Sequence, residues 1–231
     1  MNGATTQEFA RVDQRDMPRL YDRLARIYGV WAALAESKAR RRALERAAVT
    51  DREDILEVAV GTGQMLAALA RANPSGTTRG IDVSPGMLTQ ARHRIRGLNG
   101  RVELRIADAH TLPFDDDSFD LVVVGYLFDL LPETDFDLVI AEVLRVLRDS
   151  GRAVVVDMTI AEHRRDNLYR WVYQLRPRLL GGCRGVRLAA YLDAGGFGVE
   201  HRDYIAQLGF PSEVLLARPR SDVERLVEHV A

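Results

Sequence analysis

The stretch that decides the fold is Glu57-Val58-Ala59-Val60-Gly61-Thr62-Gly63. It joins a short apolar run, Ile55 to Val60, to a glycine turn, and a segment with helical periodicity around Met65 and Leu69 follows directly. Glycine lets a backbone approach a ligand closely, and the start of a helix offers unpaired N–H groups with partial positive charge. The stretch therefore predicts a strand, a ligand-binding turn and a helix, in that order.

Short apolar runs continue to alternate with helical segments farther along the chain, a pattern typical of a parallel sheet. After Asp82, the pair Ser84-Pro85 predicts the start of a helix, with serine as N-cap and proline in the first helical position. Two late extended segments are separated by Gly-Phe-Pro-Ser, which fits a hairpin. The sequence predicts an α/β fold with a parallel five-stranded core and a closing C-terminal hairpin. After the first strand, the predicted strands are 77–83, 102–107, 119–125, 153–157, 199–208 and 213–217.

The N-terminal part of the chain differs from the rest. Residues 1 to about 16 are polar and without periodicity, which predicts a flexible arm. Apolar residues between Leu20 and Leu34 then recur at three- and four-residue steps, and Ala43, Leu44 and Ala47 continue the helical pattern. Residues 1–50 are predicted to be an arm and an amphipathic helical cap. Residues 51–231 are predicted to be the main domain, and no linker separates the two parts.

Composition excludes several classes of protein. The chain has 231 residues, 47% of them hydrophobic, which suits one globular domain and excludes extensive disorder. The lone Cys183 cannot form an internal disulfide, so we expect a reducing compartment, the cytoplasm. No export signal is visible, and the longest nearly apolar run, Leu121 to Leu131, has eleven residues where about 20 would be needed to span a bilayer.

The net charge is close to zero, so the protein has no overall electrostatic field that would attract a polyanion. There are 32 basic and 33 acidic side chains, which counts against nucleic acid as a partner. Basic residues cluster at Lys38, Arg40, Arg41 and Arg42. We interpret this cluster as a solvated helix face, and an anionic ligand or contact with a membrane surface stays open as the alternative.

Two acidic positions indicate what the glycine turn would bind. Asp82 ends the second predicted strand, nineteen residues after Gly63, where a carboxylate can accept hydrogen bonds from both hydroxyls of a ribose. Asp108-Ala109 follows the third strand and is placed for an adenine amino group. Leu66 occupies the position where a dinucleotide fingerprint has its third glycine, and Lys38 is the only lysine, so a Tyr–Lys pair is absent. These features disfavour an NAD-dependent oxidoreductase.

Four separated motifs carry a resemblance that covers most of the chain. They are Glu57-x-Ala-x-Gly61-Thr-Gly63, Gly80-Ile-Asp82-Val-Ser84-Pro-Gly-Met87-Leu, Asp108-Ala109-x-x-Leu112-Pro113-Phe114-x-x-x-Ser118-Phe119-Asp120, and Ala141 to Leu147 with Gly151 beyond. Together they resemble the class I S-adenosylmethionine-dependent methyltransferases, in the branch (type 11) of the ubiquinone and menaquinone biosynthesis enzymes. The resemblance implies a Rossmann-like fold, a mostly parallel seven-stranded sheet flanked by helices, and S-adenosylmethionine as cofactor, with S-adenosylhomocysteine as product. Ala59 departs from the family, which often has glycine there.

The resemblance also implies a set of cofactor-binding residues. Gly61 and Gly63 would lie under the methionyl part, Asp82 would hold the ribose and Met87 would pack on the adenine. Glu57 would act through water or by favouring a cationic cofactor. Tyr28 belongs to a lid-like N-terminal sequence, and core packing stays open as its alternative role. The full set is Tyr28, Glu57, Gly61, Thr62, Gly63, Asp82, Val83, Met87, Asp108, Ala109, Gly125 and Tyr126.

The acceptor side is less determined. His163 is a candidate general base and Arg184 a candidate partner for an anionic substrate group, with a solvated histidine and a structural salt bridge as the alternatives. The other four histidines, His110 among them, have no predicted role, and no metal site is predicted. We expect a small apolar or aromatic acceptor, quinone-like, lipid-like or a natural product, methylated on O, C or N.

Other functions and assemblies stay open. A catalytically silent S-adenosylmethionine-binding module would keep the same motifs. An RNA methyltransferase is disfavoured because no added basic domain or aromatic stacking patch is evident. The sequence does not distinguish a monomer from a homodimer.

Overall fold

The computed structural model describes residues 36–98, 101–162 and 185–220. Tyr28, His163, Cys183 and Arg184 lie outside these described residues. The strands are β1 Asp54–Val58, β2 Thr77–Asp82, β3 Arg101–Ile106, β4 Phe119–Gly125, β5 Leu147–Met158, β6 Phe197–Gln207 and β7 Phe210–Pro219. The helices of the described residues are α1 Ser37–Ala47, α2 Gln64–Ala72, α3 Pro85–Arg94, α4 Phe136–Val146 and α5 Ala189–Ala194, and a 3-10 turn, Glu133–Asp135, precedes α4.

The seven strands form one sheet in the order β3-β2-β1-β4-β5-β7-β6. The first five are parallel, and β7 lies antiparallel between β5 and β6. The predicted parallel core with a closing hairpin is confirmed. A dinucleotide-binding sheet runs 3-2-1-4-5-6, so this sheet differs from it by the insertion of β7. The strand order reverses between β1 and β4, and the carboxyl ends of these strands open a crevice there.

Both faces of the sheet are covered by helices. Along β1, Ile55 packs with α1 and α2 on one face, and Leu56 and Val58 pack in the larger cluster that holds α4 and α5 on the other. Alternation of this kind follows from the two-residue period of a strand. The α1 helix buries Ala39, Ala43 and Ala47 against the sheet. This helix is the described part of the predicted N-terminal cap.

Local sequence explains where α3 begins. The Ser84 hydroxyl accepts a hydrogen bond from the Met87 N–H at 3.1 Å, and Pro85 occupies the first helical position. The predicted N-cap is confirmed, and it fixes the chain direction immediately after Asp82.

Two strand boundaries differ clearly from the prediction. β7 begins at Phe210, three residues before the predicted start at 213, because Phe210 pairs with Gln207 across a two-residue turn. We expected the fifth strand at 153–157, but β5 begins at Leu147, which pairs with Phe119. The pairing is then interrupted and resumes where Leu121 lies opposite Arg152. The polar residues 149–151 indicated a turn, so the strand was expected to begin after them. Leu147 lies before this turn, and it is buried and already part of the sheet.

None of the helices in the described part of the chain is long and apolar enough to cross a membrane.

Candidate active site

A cavity of about 450 Å³ lies at the carboxyl ends of β1, β2 and β4, where the strand order reverses. Open α/β sheets bind ligands at this point because the loops of neighbouring strands diverge there. The structure brings most of the predicted cofactor-binding residues together around this cavity. Those that line it are Glu57, Gly61, Thr62, Asp82, Val83, Met87, Asp108, Ala109, Gly125 and Tyr126.

Asp82 is held rigidly at the end of β2. The Gly61 N–H donates to its Oδ2 at 2.7 Å, and the Ser84 N–H donates to its Oδ1 at 2.9 Å. Burial raises the pKa of this carboxyl, and the two N–H groups act in the opposite direction. Because each carboxylate oxygen keeps a further lone pair, Asp82 can still accept two hydroxyl groups of a ligand. This geometry suits the predicted ribose contact.

The two glycines of the turn have different surroundings. Gly61 has φ +54°, and a Cβ added to it would meet no atom within 4 Å. Gly63 has φ +77°, and a Cβ there would lie 2.8 Å from Cα and Cβ of Ala91. The Gly63 N–H also donates to the Val60 carbonyl at 3.0 Å. Gly61 therefore leaves a cradle open to the cavity, whereas Gly63, which we expected under the ligand, does not line it and instead allows α2 and α3 to pack closely.

Ala59 has a left-handed backbone with φ +61°. An alanine in this region is destabilised by contact between its Cβ and the backbone, and glycine is not. The position where the sequence departs from the family is thus one that favours glycine for conformational reasons.

Glu57 is almost fully buried and lines the cavity from β1. Its Oε2 has no hydrogen-bond partner among the described residues. Burial raises the pKa of Glu57 well above its usual range, Arg40 opposes this change, and Asp82 adds to it. A buried polar oxygen without a partner is uncommon in folded proteins. A ligand that carries a cationic or hydrogen-bond-donating group would satisfy it.

Tyr126 follows β4 in a left-handed conformation, φ +51°, and its hydroxyl lies 3.1 Å from the Ser212 hydroxyl. Burial raises its pKa well above the usual value, and Glu36 adds to this effect. Tyr126 therefore stays protonated near neutral pH and acts as a wall of the cavity.

Several lining residues were missed by the sequence analysis. Arg40 donates from Nη2 to Glu36 at 3.1 Å and from Nη1 to the Gln64 side chain at 2.5 Å. Burial raises the pKa of Glu36 to about 7, and the ion pair with Arg40 limits the rise. The signal for Glu36 and Arg40 was their four-residue spacing at the start of α1, where Glu36 is the N-cap residue. Other missed lining residues are His110, Leu127, Leu130 and Leu131.

The interpretation of the basic cluster as a solvated helix face was wrong for Arg40. Arg41 and Arg42 are exposed and pair with Glu45 on the outer side of α1, as expected. Arg40 points to the cavity because it lies next to Ala39 and Ala43, which are buried against the sheet.

His110 stands between two carboxylates. Its Nδ1 lies 2.5 Å from Asp108 Oδ1, and its Nε2 lies 3.1 Å from Asp135 Oδ2. Burial lowers the pKa of His110, but the two carboxylates outweigh that effect, so the net shift is upward. Burial would raise the pKa of Asp108, yet its hydrogen bonds with His110 hold that pKa below its usual value.

Fold and site together define a class of protein. A Rossmann-like sheet with an antiparallel β7, a glycine turn, a fixed acid at the end of β2 and a second acid after β3 are the features of class I S-adenosylmethionine-dependent methyltransferases.

Comparisons with known proteins agree with this class. A family described as a methyltransferase domain matches residues 55–151. A ubiquinone/menaquinone biosynthesis C-methyltransferase of Desulfotalea psychrophila is 31% identical over 157 residues, which are 66% of this chain and 62% of that relative. A demethylmenaquinone methyltransferase of Thermus thermophilus is 33% identical over 172 residues, 74% of this chain and 76% of that relative.

Among solved structures, one match is a chain from the complex between the Haloferax volcanii Trm112 methyltransferase activator and a methyltransferase. It has a TM-score of 0.71 and 20% identity, over 89% of this chain and 98% of that one. This likeness supports the fold. The chain belongs to the family of S-adenosylmethionine-dependent methyltransferases, and its cofactor is S-adenosylmethionine. The match with the Desulfotalea relative spans about three fifths of that protein's length.

Proposed function

We propose that the protein transfers a methyl group from S-adenosylmethionine to a small apolar or aromatic acceptor. The observation that carries this proposal is the mixed lining of the cavity. It includes the fixed carboxylate of Asp82 at the end of β2 and the apolar side chains of Leu127, Leu130 and Leu131 after β4. The carboxylate suits a polar nucleoside, and the apolar side chains suit an apolar acceptor.

The residues that line the cavity fit the cofactor. Asp82 would accept the ribose hydroxyls, and Asp108 and Ala109 would face the adenine. Gly61 leaves open space, and Glu57 offers a buried oxygen without a partner, for the amino-acid end of the cofactor. When bound, the sulfonium supplies an electrophilic methyl carbon. Asp82 needs no reorientation to bind because two backbone N–H groups already fix its oxygens.

The chain's contribution to the transfer would be orientation and exclusion of water. Holding two reactants in a productive geometry can lower a barrier by about 7–11 kcal/mol. Tyr126 and the three leucines form an apolar wall suited to this task. His163, as the acceptor's proton acceptor, and Arg184, as partner of an anionic group, stay predictions. The names of the relatives favour a quinone-like acceptor and carbon as the methylated atom.

Calorimetric titration with S-adenosylhomocysteine tests the cofactor site, with NADH and NADPH as parallel controls. Asp82→Ala should weaken binding by about 1–3 kcal/mol because a ribose hydroxyl loses a charged acceptor. Asp137→Asn, an exposed substitution on α4, is the matched control and should bind as the wild type does. Equal affinity of Asp82→Ala and wild type would refute the ribose contact.

Transfer of isotope-labelled methyl tests the reaction itself. Hydroquinones, phenols and amines should be offered with labelled S-adenosylmethionine, and we expect label in the hydroquinone product. A protein that binds S-adenosylhomocysteine but labels no acceptor would behave as a silent binding module instead.

Location and assembly are separate matters. A cytoplasmic location, contact with a membrane surface and the choice between monomer and homodimer stay predictions.

A further inference from the structure

His110 connects two segments that are distant in sequence. Asp108 belongs to the loop after β3, and Asp135 closes the 3-10 turn before α4. Asp108 Oδ1 accepts the backbone N–H of His110 at 3.0 Å in addition to its contact with the ring. Within the described residues no hydrogen bond to Asp108 Oδ2 is formed, so this oxygen is available to a ligand.

The donors and acceptors determine the charge of the ring when both contacts are made. An ionised carboxylate can only accept hydrogen bonds, so both ring nitrogens must carry protons to bind Asp108 and Asp135 at once. The complete clasp, by which we mean Asp108, His110 and Asp135, therefore contains an imidazolium. Such charge-assisted hydrogen bonds are stronger than neutral ones.

The 3-10 turn is linked to the apolar lining of the cavity and to α5. It directly follows the segment with Leu130 and Leu131, which line the apolar wall. Its Glu133 accepts a hydrogen bond from the Tyr191 hydroxyl of α5 at 3.0 Å. The clasp thus ties the adenine-side loop to a turn that is itself anchored to the helices covering the sheet.

We propose that His110 is a positioning residue that fixes the Asp108 carboxylate for the adenine amino group of the cofactor. The inference rests on the proposed function, since it assumes that Asp108 faces the adenine. His110 itself acts through Asp108: it holds one carboxylate oxygen, and the carboxylate presents the other to the ligand.

The clasp makes this contact sensitive to pH. Within the described residues, the charged groups that face the ring are Asp108, from the loop after β3, and Asp135, from the 3-10 turn. The pKa of His110 is raised, so the clasp is complete below that pKa, and one of its two hydrogen bonds is lost as the pH rises through it. Discrimination in favour of the adenine amino group should therefore weaken at alkaline pH.

Paired ligands separate positioning from a merely structural role. S-adenosylhomocysteine and S-inosylhomocysteine differ at the base, where the second carries an oxo group in place of the amino group. Wild-type protein should prefer the adenosyl ligand by roughly ten- to hundredfold, the value of one hydrogen bond to a charged group. His110→Ala should lose most of this preference, and His110→Gln, which keeps one donor, should restore part of it. His93→Ala, an exposed substitution on α3, is the control and should keep the full preference.

Each outcome of the paired-ligand experiment has a distinct meaning for the proposal. If His110→Ala weakens both ligands equally, the residue is only structural and the proposal is overturned; the same holds if the wild type shows no preference. Between pH 6 and pH 8.5 the preference should fall in the wild type and stay flat in His110→Ala and Asp135→Asn, and a pH-independent wild type would also overturn it. If the wild type binds neither ligand at any pH, the proposed cofactor site itself fails, which is a different outcome from a failed clasp.

Discussion

Gly61 and Gly63 lie two residues apart, both with positive φ, and should respond to alanine in opposite ways. A Cβ at Gly63 would lie 2.8 Å from two atoms of Ala91, and a Cβ at Gly61 would meet nothing within 4 Å. Gly63→Ala should therefore disturb the packing of α2 against α3. Gly61→Ala should leave that packing intact and place a methyl group in the cofactor cavity.

The expected magnitudes follow from these environments. An alanine with a left-handed backbone destabilises the folded state by about 1–2 kcal/mol. Replacing glycine by alanine also restricts the unfolded chain, which stabilises the protein by about 0.4–1 kcal/mol. Gly61→Ala should thus lower the free energy of unfolding by about 1 kcal/mol or less. Gly63→Ala adds an overpacking term of about 1–3 kcal/mol, because Ala91 belongs to a helix and cannot rotate out of the way. Its total should be about 1–4 kcal/mol.

Urea unfolding followed by circular dichroism measures the stabilities, and calorimetric titration with S-adenosylhomocysteine measures binding. Gly63→Ala should unfold at a clearly lower urea concentration than the wild type. Its folded fraction should bind S-adenosylhomocysteine with nearly wild-type affinity. Gly61→Ala should keep most of its stability and bind at least severalfold more weakly.

Two results would contradict this reasoning. If Gly63→Ala unfolds within about 0.5 kcal/mol of the wild type, the close packing of α2 on α3 does not control that position. If Gly61→Ala binds S-adenosylhomocysteine as tightly as the wild type, the turn does not border the bound cofactor.

Three further predictions concern stability. Ala59→Gly should raise the free energy of unfolding by about 0.5–1 kcal/mol, because it relieves a left-handed alanine; a decrease in urea unfolding would contradict this. Burial raises the pKa of Glu36 to about 7, so the folded state holds a proton that the unfolded state releases, and the unfolding free energy should fall by about 1–2 kcal/mol as pH rises from 5.5 to 8. Thermal melts of Glu36→Gln should show a smaller fall, and an unchanged slope would exclude Glu36. Arg145→Lys should be less stable by roughly 2 kcal/mol in urea, since Arg145 donates to both oxygens of Glu142 and to two backbone carbonyls, and lysine lacks the planar fork; equal stability would refute this.

The parallel sheet with its closing hairpin could be predicted from the sequence because the signals for it are local. Apolar runs, the Ser84-Pro85 cap and the spacing from the glycine turn to Asp82 each depend on residues close together in the chain. Parallel strands connected by helices have few allowed arrangements, so these local signals were enough to predict the sheet and to place Asp82 beside the turn. The start of β5 was missed because Leu147 pairs with Phe119, a contact that the turn residues at 149–151 obscure.

Local sequence signals predict only some of the residues of the site. Sequence alone determined the glycine turn, the acid at the end of β2 and the acid after β3, since each lies at the carboxyl end of a parallel strand and these ends must lie at the same edge of the sheet. Only the tertiary structure decided that Arg40 faces the cavity, that Gly63 serves helix packing and that His110 bridges Asp108 and Asp135. The physical reason is that each of these roles is defined by a partner from another segment, and contacts between segments are set by packing of the whole sheet and its helices.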